Sequence, residues 1–217
     1  AMPETAIGLF PDVGGGFLLG QLDRGIGAWL ALVGAKLKAY DLVQLGLATS
    51  FVNSNEVHNL RKRLIASSPK NNQEVSSVIN SFSSKPDSEE SLLKDNETII
   101  KEVFSPDTVE EIFQSCKQAS SSKFIETQFD ELKHKSPTSL KISLKQIRAA
   151  KNMSLKDELI MEYRMVQNCL EAGDFFEGVR AMLVDKDRKP KWKPSKIEEV
   201  DNNRVNKFFK TLDNLDL

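Results

Sequence analysis

The chain has 217 residues, and its 30 Lys and Arg side chains nearly balance its 31 Asp and Glu side chains. This balance excludes the overall basic excess of a nucleic-acid-binding domain, and no run approaches the roughly 18 apolar residues of a membrane span. Cys116 and Cys169 lie far apart, outside any Cys-x-x-Cys spacing, so neither a disulfide scaffold nor a zinc site is expected. His58 and His134 have no nucleophile or second ligand nearby in sequence and are expected on the surface.

The first 52 residues are apolar and contain 9 of the 11 glycines. Apolar residues at spacings of three and four predict helices over 16–22, 25–33 and 40–45. Gly34 is expected to end the second of them. Short buried strands are predicted at Met2, over 7–10 and over 47–52.

The composition changes after a further helix predicted over 56–66. Residues 67–97 are rich in Ser, Asn and charged side chains, which predicts a surface insertion holding one or two short helices. From residue 98 onward the pattern is helical. The chain therefore divides into predicted segments 1–66, 67–97 and 98–217.

The helical segment carries four helix-start signals. They are Ser105-Pro106, Ser136-Pro137, Ser154 with Asp157, and Asp174 with Glu177. The apolar stripes behind these signals are predicted to face the core. The stripes are Val109, Ile112, Phe113 and Cys116; Leu140, Leu144 and Ile147; Leu155, Leu159, Tyr163, Val166 and Leu170; and Phe176, Val179 and Leu183. A last helix is predicted over 203–212.

The opening stretch, AMPETAIGLFPDVGGG, places two carboxyl groups, Glu4 and Asp12, in apolar surroundings. One interpretation is structural: a strand ends here, Asp12 caps the next helix, and glycines 14–16 let that helix approach another backbone. The other interpretation is catalytic. Burial raises the pKa of a carboxyl group and a second carboxylate raises it further, so the pair can divide the roles of base and orienter. Spacing alone leaves both open.

Several stretches resemble the crotonase superfamily of enoyl-CoA hydratases, isomerases and acyl-CoA hydrolases. They are AMPETAIGLFPDVGGG, LALVGAKLKAYDLVQLGLATSFV, SPTSLKISLKQIR, MEYRMVQNCL and DFFEGVRAMLVDKDRKPKWKP. Their order and spacing are similar to those of the second half of that fold, over nearly the whole chain outside 67–97. The resemblance implies an α/β fold: the last strands of a crotonase-like (ββα) spiral core, followed by a mainly α-helical C-terminal region.

The resemblance also implies a site and a reaction. Hydratases of the superfamily have a Pro-Glu like Pro3-Glu4 but usually a small residue at the position of Asp12, whereas the hydrolases resembled here use a pair that aligns on Glu4 and Asp12. Glu4 would act on the thioester as nucleophile or as base to a water, and Asp12 would bind the substrate hydroxyl or place the water. Both would contact the substrate. The implied reaction converts 3-hydroxyisobutyryl-CoA to 3-hydroxyisobutyrate and CoA in valine breakdown.

The same resemblance implies no metal and no redox cofactor, because CoA arrives as part of the substrate. It implies an acyl-CoA as small-molecule partner, no nucleic acid, no membrane, a homo-oligomer as a possible assembly, and a location in the mitochondrial matrix. It places the oxyanion-hole N–H groups on loops that precede the Pro-Glu stretch. We therefore expect the chain to be the C-terminal part of a longer enzyme and to be inactive in isolation.

Two other functions stay open: an enoyl-CoA hydratase or isomerase, and a non-catalytic crotonase-fold subunit of a larger assembly. The basic segment 186–193, with Trp192 among its lysines, would either meet CoA phosphates or form a solvated loop. The N–H groups of glycines 14–16 would either point toward the thioester or simply accompany close packing.

Overall fold

The computed structural model describes residues 1–211, and within them the chain forms helices joined by loops, with no β-strand. The expected α/β core, with its last strands at Met2, over 7–10 and over 47–52, is therefore wrong for this part of the chain. A strand requires a partner strand for its N–H and C=O groups. The N–H groups of Gly8 and Leu9 instead bond locally to the carbonyl of Glu4, which closes a 3₁₀ turn.

The described residues form twelve α-helices. They are α1 (Gly15–Gly20), α2 (Arg24–Val33), α3 (Ala39–Gln44), α4 (Val57–Ser67), α5 (Asn72–Asn80), α6 (Glu97–Val103), α7 (Val109–Gln118), α8 (Lys123–Lys133), α9 (Pro137–Ala150), α10 (Leu155–Ala172), α11 (Asp174–Val179) and α12 (Asn202–Lys207). Three 3₁₀ turns, Glu4–Ile7, Ser54–Glu56 and Ile197–Glu199, and a π-helical turn, Arg180–Val184, complete the regular structure. None of the helices within residues 1–211 has the length and apolar character that crossing a bilayer requires.

The chain divides into two compact units. The smaller is Leu37–Asp95, and the larger joins Ala1–Lys36 to the chain from Asn96 onward. In the smaller unit, Asp41 on α3 is fully buried, and its carboxylate accepts hydrogen bonds from Ser91 Oγ and from the Leu93 N–H. Segment 67–97 contains one helix, α5. The division at 66 and 97 stays a prediction.

Helix α9 lies at the centre of the larger unit and packs against α1, α2, α7 and α12. It begins where its sequence predicts, because the Oγ of Ser136 accepts the N–H of Ser139 and proline occupies the first helical position. The predicted inward residues Leu140, Leu144 and Ile147 are all buried. The centre of this unit is therefore a helix whose start and inner face the sequence specifies.

Helix α2 is buried from Gly25 to Val33. Its Trp29 indole N–H donates to the side-chain oxygen of Gln128 at 2.8 Å, so the one polar group of the ring is satisfied. Gly34 ends the helix in the left-handed conformation with φ 74°, as predicted.

Two expectations about helix starts and faces are wrong. Helix α7 is capped by Thr108, in a reciprocal pair with Glu111, and not by Ser105-Pro106. The predicted stripe of α10 is largely exposed, with Leu155, Leu159 and Leu170 retaining 46%, 43% and 40% of their surface. The buried face of α10 carries instead Met161, Met165, Cys169, Glu158 and Glu162.

The predicted inward stripe of the next segment is also exposed: Phe176 on α11 and Leu183 in the π-helical turn each keep 60% of their surface exposed. The last helix, predicted over 203–212, is α12, which ends at Lys207. Residue 212, the predicted end of that helix, lies outside the described residues.

Candidate active site

Glu4 opens the 3₁₀ turn Glu4–Ile7 and is half-buried. The turn is fixed by its neighbour Thr5, which is fully buried. Its hydroxyl donates to the Leu32 carbonyl at 3.0 Å, and its own carbonyl accepts the N–H of Ser136 at 3.1 Å. The Oε2 atom of Glu4 is buried without a hydrogen-bond partner among the described residues. This buried oxygen therefore has no hydrogen-bond donor within the described residues.

Helix α11 lies directly on this turn because two glycines allow backbone to touch backbone. Gly8 has φ 75°, and a Cβ there would lie 2.4 Å from the backbone carbonyl carbon and oxygen of Asp174. A Cβ at Gly178 would lie 2.4 Å from the backbone carbonyl carbon of Ile7. Asp174 is buried and accepts from Ser136 Oγ at 2.7 Å and from the Lys193 N–H at 2.9 Å.

Asp12 lies in residues 11–14, called here the 11–14 turn, which lead into α1 and contain the first three residues of a tight turn over 12–15. The N–H of Gly15 donates to the Asp12 carbonyl at 2.8 Å, and Val13 and Gly14 have positive φ angles of 53° and 83°, as in a type I′ turn. Gly14, not Asp12, is the N-cap of α1, and no side chain caps this helix. The N-cap interpretation of Asp12 is therefore wrong, and its carboxylate is half-exposed.

The charge of Asp12 acts on the carboxyl group of Glu4. The pKa of Glu4 is raised above its usual value, first by burial and further by the negative charge of Asp12. The backbone N–H of Glu4 and the N-terminal amino group oppose this rise. The structure therefore brings Glu4 and Asp12 within electrostatic reach of each other, in a setting that favours a base working near neutral pH.

A third acid, which the sequence analysis missed, lies behind the 11–14 turn. Both carboxyl oxygens of Glu162 on α10 accept the N–H of Gly14, at 3.0 and 3.2 Å. Burial and the neighbouring Glu158 carboxyl group raise the pKa of Glu162 to about 8, and the charge of Asp12 acts in the same direction, while the bond from the Gly14 N–H opposes the rise. The available signal was the i, i+4 spacing of two glutamates beside the methionines of α10.

This raised pKa predicts how stability varies with pH. Because the folded pKa of Glu162 is about 8 and the reference value is 4.5, the folded chain binds more protons than the unfolded chain between these pH values. The contribution of Glu162 is thus complete below pH 4.5 and is lost as the pH rises toward about 8. Thermal unfolding should show a Tm that falls over this window in the wild type and falls less steeply in Glu162→Gln. Equal slopes for the two proteins would contradict the assignment.

The histidines and cysteines are the other candidate groups. His58 and His134 are exposed. Cys116 and Cys169 are buried free thiols, and burial raises the pKa of each to about 12, which makes them unreactive. Within residues 1–211, no group of His, Cys, Asp and Glu side chains is arranged to hold a metal ion.

The basic segment 186–193 is an exposed loop around Trp192. The Trp192 indole N–H donates to the His134 carbonyl at 3.0 Å, so this ring is anchored to the protein. A contact of these lysines with CoA phosphates stays a prediction. The Gly14 N–H donates to Glu162, and the Gly15 N–H donates to the Asp12 carbonyl. Two of the three N–H groups that could have faced a thioester therefore already have acceptors within the protein.

The family model for enoyl-CoA hydratase/isomerase matches residues 1–209. The chain belongs to the enoyl-CoA hydratase/isomerase family. Curated relatives include the mitochondrial 3-hydroxyisobutyryl-CoA hydrolases of Gallus gallus, 46% identical, and Homo sapiens, 44% identical. Each alignment covers 100% of this chain and 57% of the relative, so the chain spans little more than half the length of these relatives.

Two solved structures match nearly the whole chain. A carnitinyl-CoA dehydratase from Mycobacterium thermoresistibile matches with a TM-score of 0.87 at 31% identity, over 99% of this chain and 59% of its own. An enoyl-CoA hydratase from Rhodobacter sphaeroides matches with a TM-score of 0.83 at 29% identity, over 98% of this chain and 59% of its own. This likeness supports the crotonase-like fold, while residues 1–211 contain its helices without a strand.

Proposed function

We propose that this family member hydrolyses the thioester of 3-hydroxyisobutyryl-CoA, releasing 3-hydroxyisobutyrate and CoA, in the mitochondrial matrix. The names of the Gallus gallus and Homo sapiens relatives support this substrate and this location. The observation that carries the proposal is the pairing of Glu4, whose Oε2 is buried and unbonded among the described residues, with Asp12, whose side chain caps no helix. A hydratase or isomerase of the same family is the second candidate.

Hydrolysis breaks the C–S bond and adds the elements of water. With Glu4 as base, the carboxylate takes a proton from the attacking water, and the proton passes to the departing thiolate of CoA. With Glu4 as nucleophile, its oxygen attacks the carbonyl carbon, the thiolate leaves, and water then cleaves the resulting anhydride. Asp12 would bind the substrate hydroxyl or place the water. Neither route transfers electrons, so the proposal invokes no redox cofactor, and both routes assign the proton and the attack to carboxyl groups without invoking a metal.

Either route places a negative charge on the carbonyl oxygen in the transition state. One hydrogen-bond donor at that oxygen contributes about 3 kcal/mol. The N–H groups of Gly14 and Gly15 already have acceptors within the fold, so the proposal assigns the oxyanion to other donors. Since relatives are longer than this chain, we expect the isolated chain to hydrolyse the thioester weakly or not at all.

A two-substrate assay tests the proposal. The chain is assayed alone and also as a chimera, in which it replaces the matching 57% of the Gallus gallus relative. Free thiol is followed with 3-hydroxyisobutyryl-CoA, and hydration is followed with an enoyl-CoA. Thiol release by the chimera supports the hydrolase. Hydration without thiol release would favour the hydratase, and inactivity with both substrates would favour a non-catalytic subunit.

The pH profile of Asp12→Asn gives a further prediction. Since the charge of Asp12 raises the pKa of Glu4, its removal lowers that pKa, and Glu4 stays ionised to lower pH. The acid limb of kcat/KM in the chimera should therefore move to lower pH, besides any loss of rate. The exposed Asp95 supplies the matched control, Asp95→Asn, which should leave the limb in place. An unmoved limb in Asp12→Asn would contradict the electrostatic coupling of the pair.

A further inference from the structure

A buried polar cluster lies behind the 11–14 turn, formed by Gln146 on α9 and by Glu158 and Glu162 on α10. Gln146 and Glu158 are fully buried, and Glu162 keeps only 6% of its surface. Carboxyl groups are seldom buried to this degree without a cation, since the charged form loses its hydration. The cluster therefore requires an explanation beyond packing.

The cluster holds the 11–14 turn at both ends. At the first end, the side-chain amide of Gln146 donates to the Pro11 carbonyl at 2.9 Å. At the other end, the Gly14 N–H donates to the carboxyl group of Glu162. The same Gln146 amide also donates to Glu158 at 3.0 Å and to Glu162 at 3.4 Å. Asp12 lies between the two attachment points.

The groups that face Glu162 explain its raised pKa. Its charged neighbours are Glu158, on the same helix, and Asp12, on the turn, and both are acidic. Helix α9 contributes the neutral Gln146, and the N-terminus of α1 contributes the Gly14 N–H, whose bond opposes the rise.

The turn that the cluster holds is strained. Val13 is β-branched and has φ 53°, a conformation that such residues rarely adopt and that costs roughly 1–3 kcal/mol. Its side chain is 83% exposed, so packing of that side chain does not compensate. Gly16 brings α1 directly onto the cluster, because a Cβ there would lie 2.3 Å from Gln146 Nε2 and 2.4 Å from Glu158 Oε1. The hydrogen bonds from the cluster are what oppose the strain.

We propose that Gln146, Glu158 and Glu162 are positioning residues for Asp12: the Gln146 amide, which is itself bonded to Glu158, and the Glu162 carboxyl group clamp the 11–14 turn at its two ends. The inference rests on the proposed function for the role of Asp12, but the clamp itself does not. Without the bond from the Gly14 N–H to Glu162, the turn would lose one of its two attachments, and Asp12 would lose its fixed position.

The clamp is tested first by hydrogen exchange at the Gly14 amide, followed by NMR and corrected for intrinsic rates. Glu162→Ala should speed this exchange by about ten-fold or more. Glu162→Gln, which keeps an acceptor for Gly14 and a donor for Glu158, should stay within about two-fold of the wild type at pH 6. Glu171→Ala, at an exposed position of the same helix, is the control and should change nothing. Unchanged Gly14 exchange in Glu162→Ala would overturn the clamp.

A second variant gives an independent arm in case Glu162→Ala does not fold. Gln146→Leu removes the amide that donates to the Pro11 carbonyl and should also speed exchange at the Gly14 amide several-fold. If a folded Gln146→Leu protein exchanges at the wild-type rate, the cluster does not hold the turn and the proposal fails.

The link to Asp12 is tested by a double-mutant cycle in the chimera. If Glu162 acts through Asp12, Glu162→Ala lowers kcat for thiol release in the wild-type background but lowers it no further in Asp12→Asn. Additive losses would show that Glu162 acts independently of Asp12 and would overturn the positioning role. If the wild-type chimera releases no thiol, the proposed function fails, while the exchange measurements still decide whether the clamp exists.

Discussion

The Glu4→Gln variant of the chimera is expected to lose about 10³-fold in kcat for thiol release, a loss typical of removing a positioned base or nucleophile. The amide has nearly the shape of the carboxyl group but can neither accept the proton of water nor attack a carbonyl carbon. Steady-state kinetics with 3-hydroxyisobutyryl-CoA measures the effect. KM should change much less than kcat, because the interaction that is lost belongs mainly to the transition state.

The control for this variant is Glu102→Gln, at an exposed position of α6. It carries the same chemical change away from the turn and should keep full activity. Thermal unfolding of both variants separates a catalytic loss from misfolding. A Glu4→Gln protein that keeps most of its kcat would show that Glu4 is not the reacting group.

The largest loss of stability is expected from Gly8→Ala. Its methyl group would lie 2.4 Å from the backbone of Asp174, and its φ of 75° disfavours any side chain. A backbone atom cannot move aside as a flexible side chain can, so α11 and the turn that carries Glu4 would have to separate. Overpacking and backbone strain together predict a loss of about 2–4 kcal/mol in the free energy of unfolding.

Gly173→Ala is the matched control for Gly8→Ala. Gly173 also has a positive φ, 89°, but a Cβ there meets nothing within 4 Å. The Gly173→Ala substitution should therefore lower the free energy of unfolding only by the backbone strain, about 1 kcal/mol. Urea unfolding of the two variants measures the difference. If Gly8→Ala costs no more than Gly173→Ala, the close contact between α11 and the Glu4 turn does not determine stability.

Helix positions were largely predictable because their signals are local. Ser136-Pro137 and Ser154 cap α9 and α10 as their sequence predicts, since a cap depends on residues within one turn. The start of α7 was misplaced because two capping signals, Ser105-Pro106 and Thr108 with Glu111, lie three residues apart. Only the folded chain decides between them.

The strands and the inner face of α10 were not predictable from local pattern. Short apolar runs such as 7–10 are compatible with a strand or a buried turn. Here the turn forms, because the Glu4 carbonyl accepts the N–H groups of Gly8 and Leu9. Helix α10 has two faces that could be buried, an apolar stripe through Leu159 and a face that carries two glutamates. Hydropathy predicts burial of the apolar stripe, whereas the folded chain buries the face with Glu158 and Glu162.

Glu4 and Asp12 were proposed from family resemblance, and the structure adds what sequence could not supply. It places them within electrostatic reach of each other, leaves the Asp12 side chain outside the cap of α1, and adds Gln146, Glu158 and Glu162 behind the turn. Those three residues lie more than 130 positions along the chain from Pro11 and Gly14. No spacing rule connects residues at such a separation.

The most direct measurement is thiol release from 3-hydroxyisobutyryl-CoA by the chimera that retains Glu4 and Asp12, beside the chimera that carries Glu4→Gln and Asp12→Asn together. We predict catalytic release by the first protein and only background release by the second, with both proteins folded. Equal release by the two would contradict the account, because hydrolysis would then depend on neither carboxyl group.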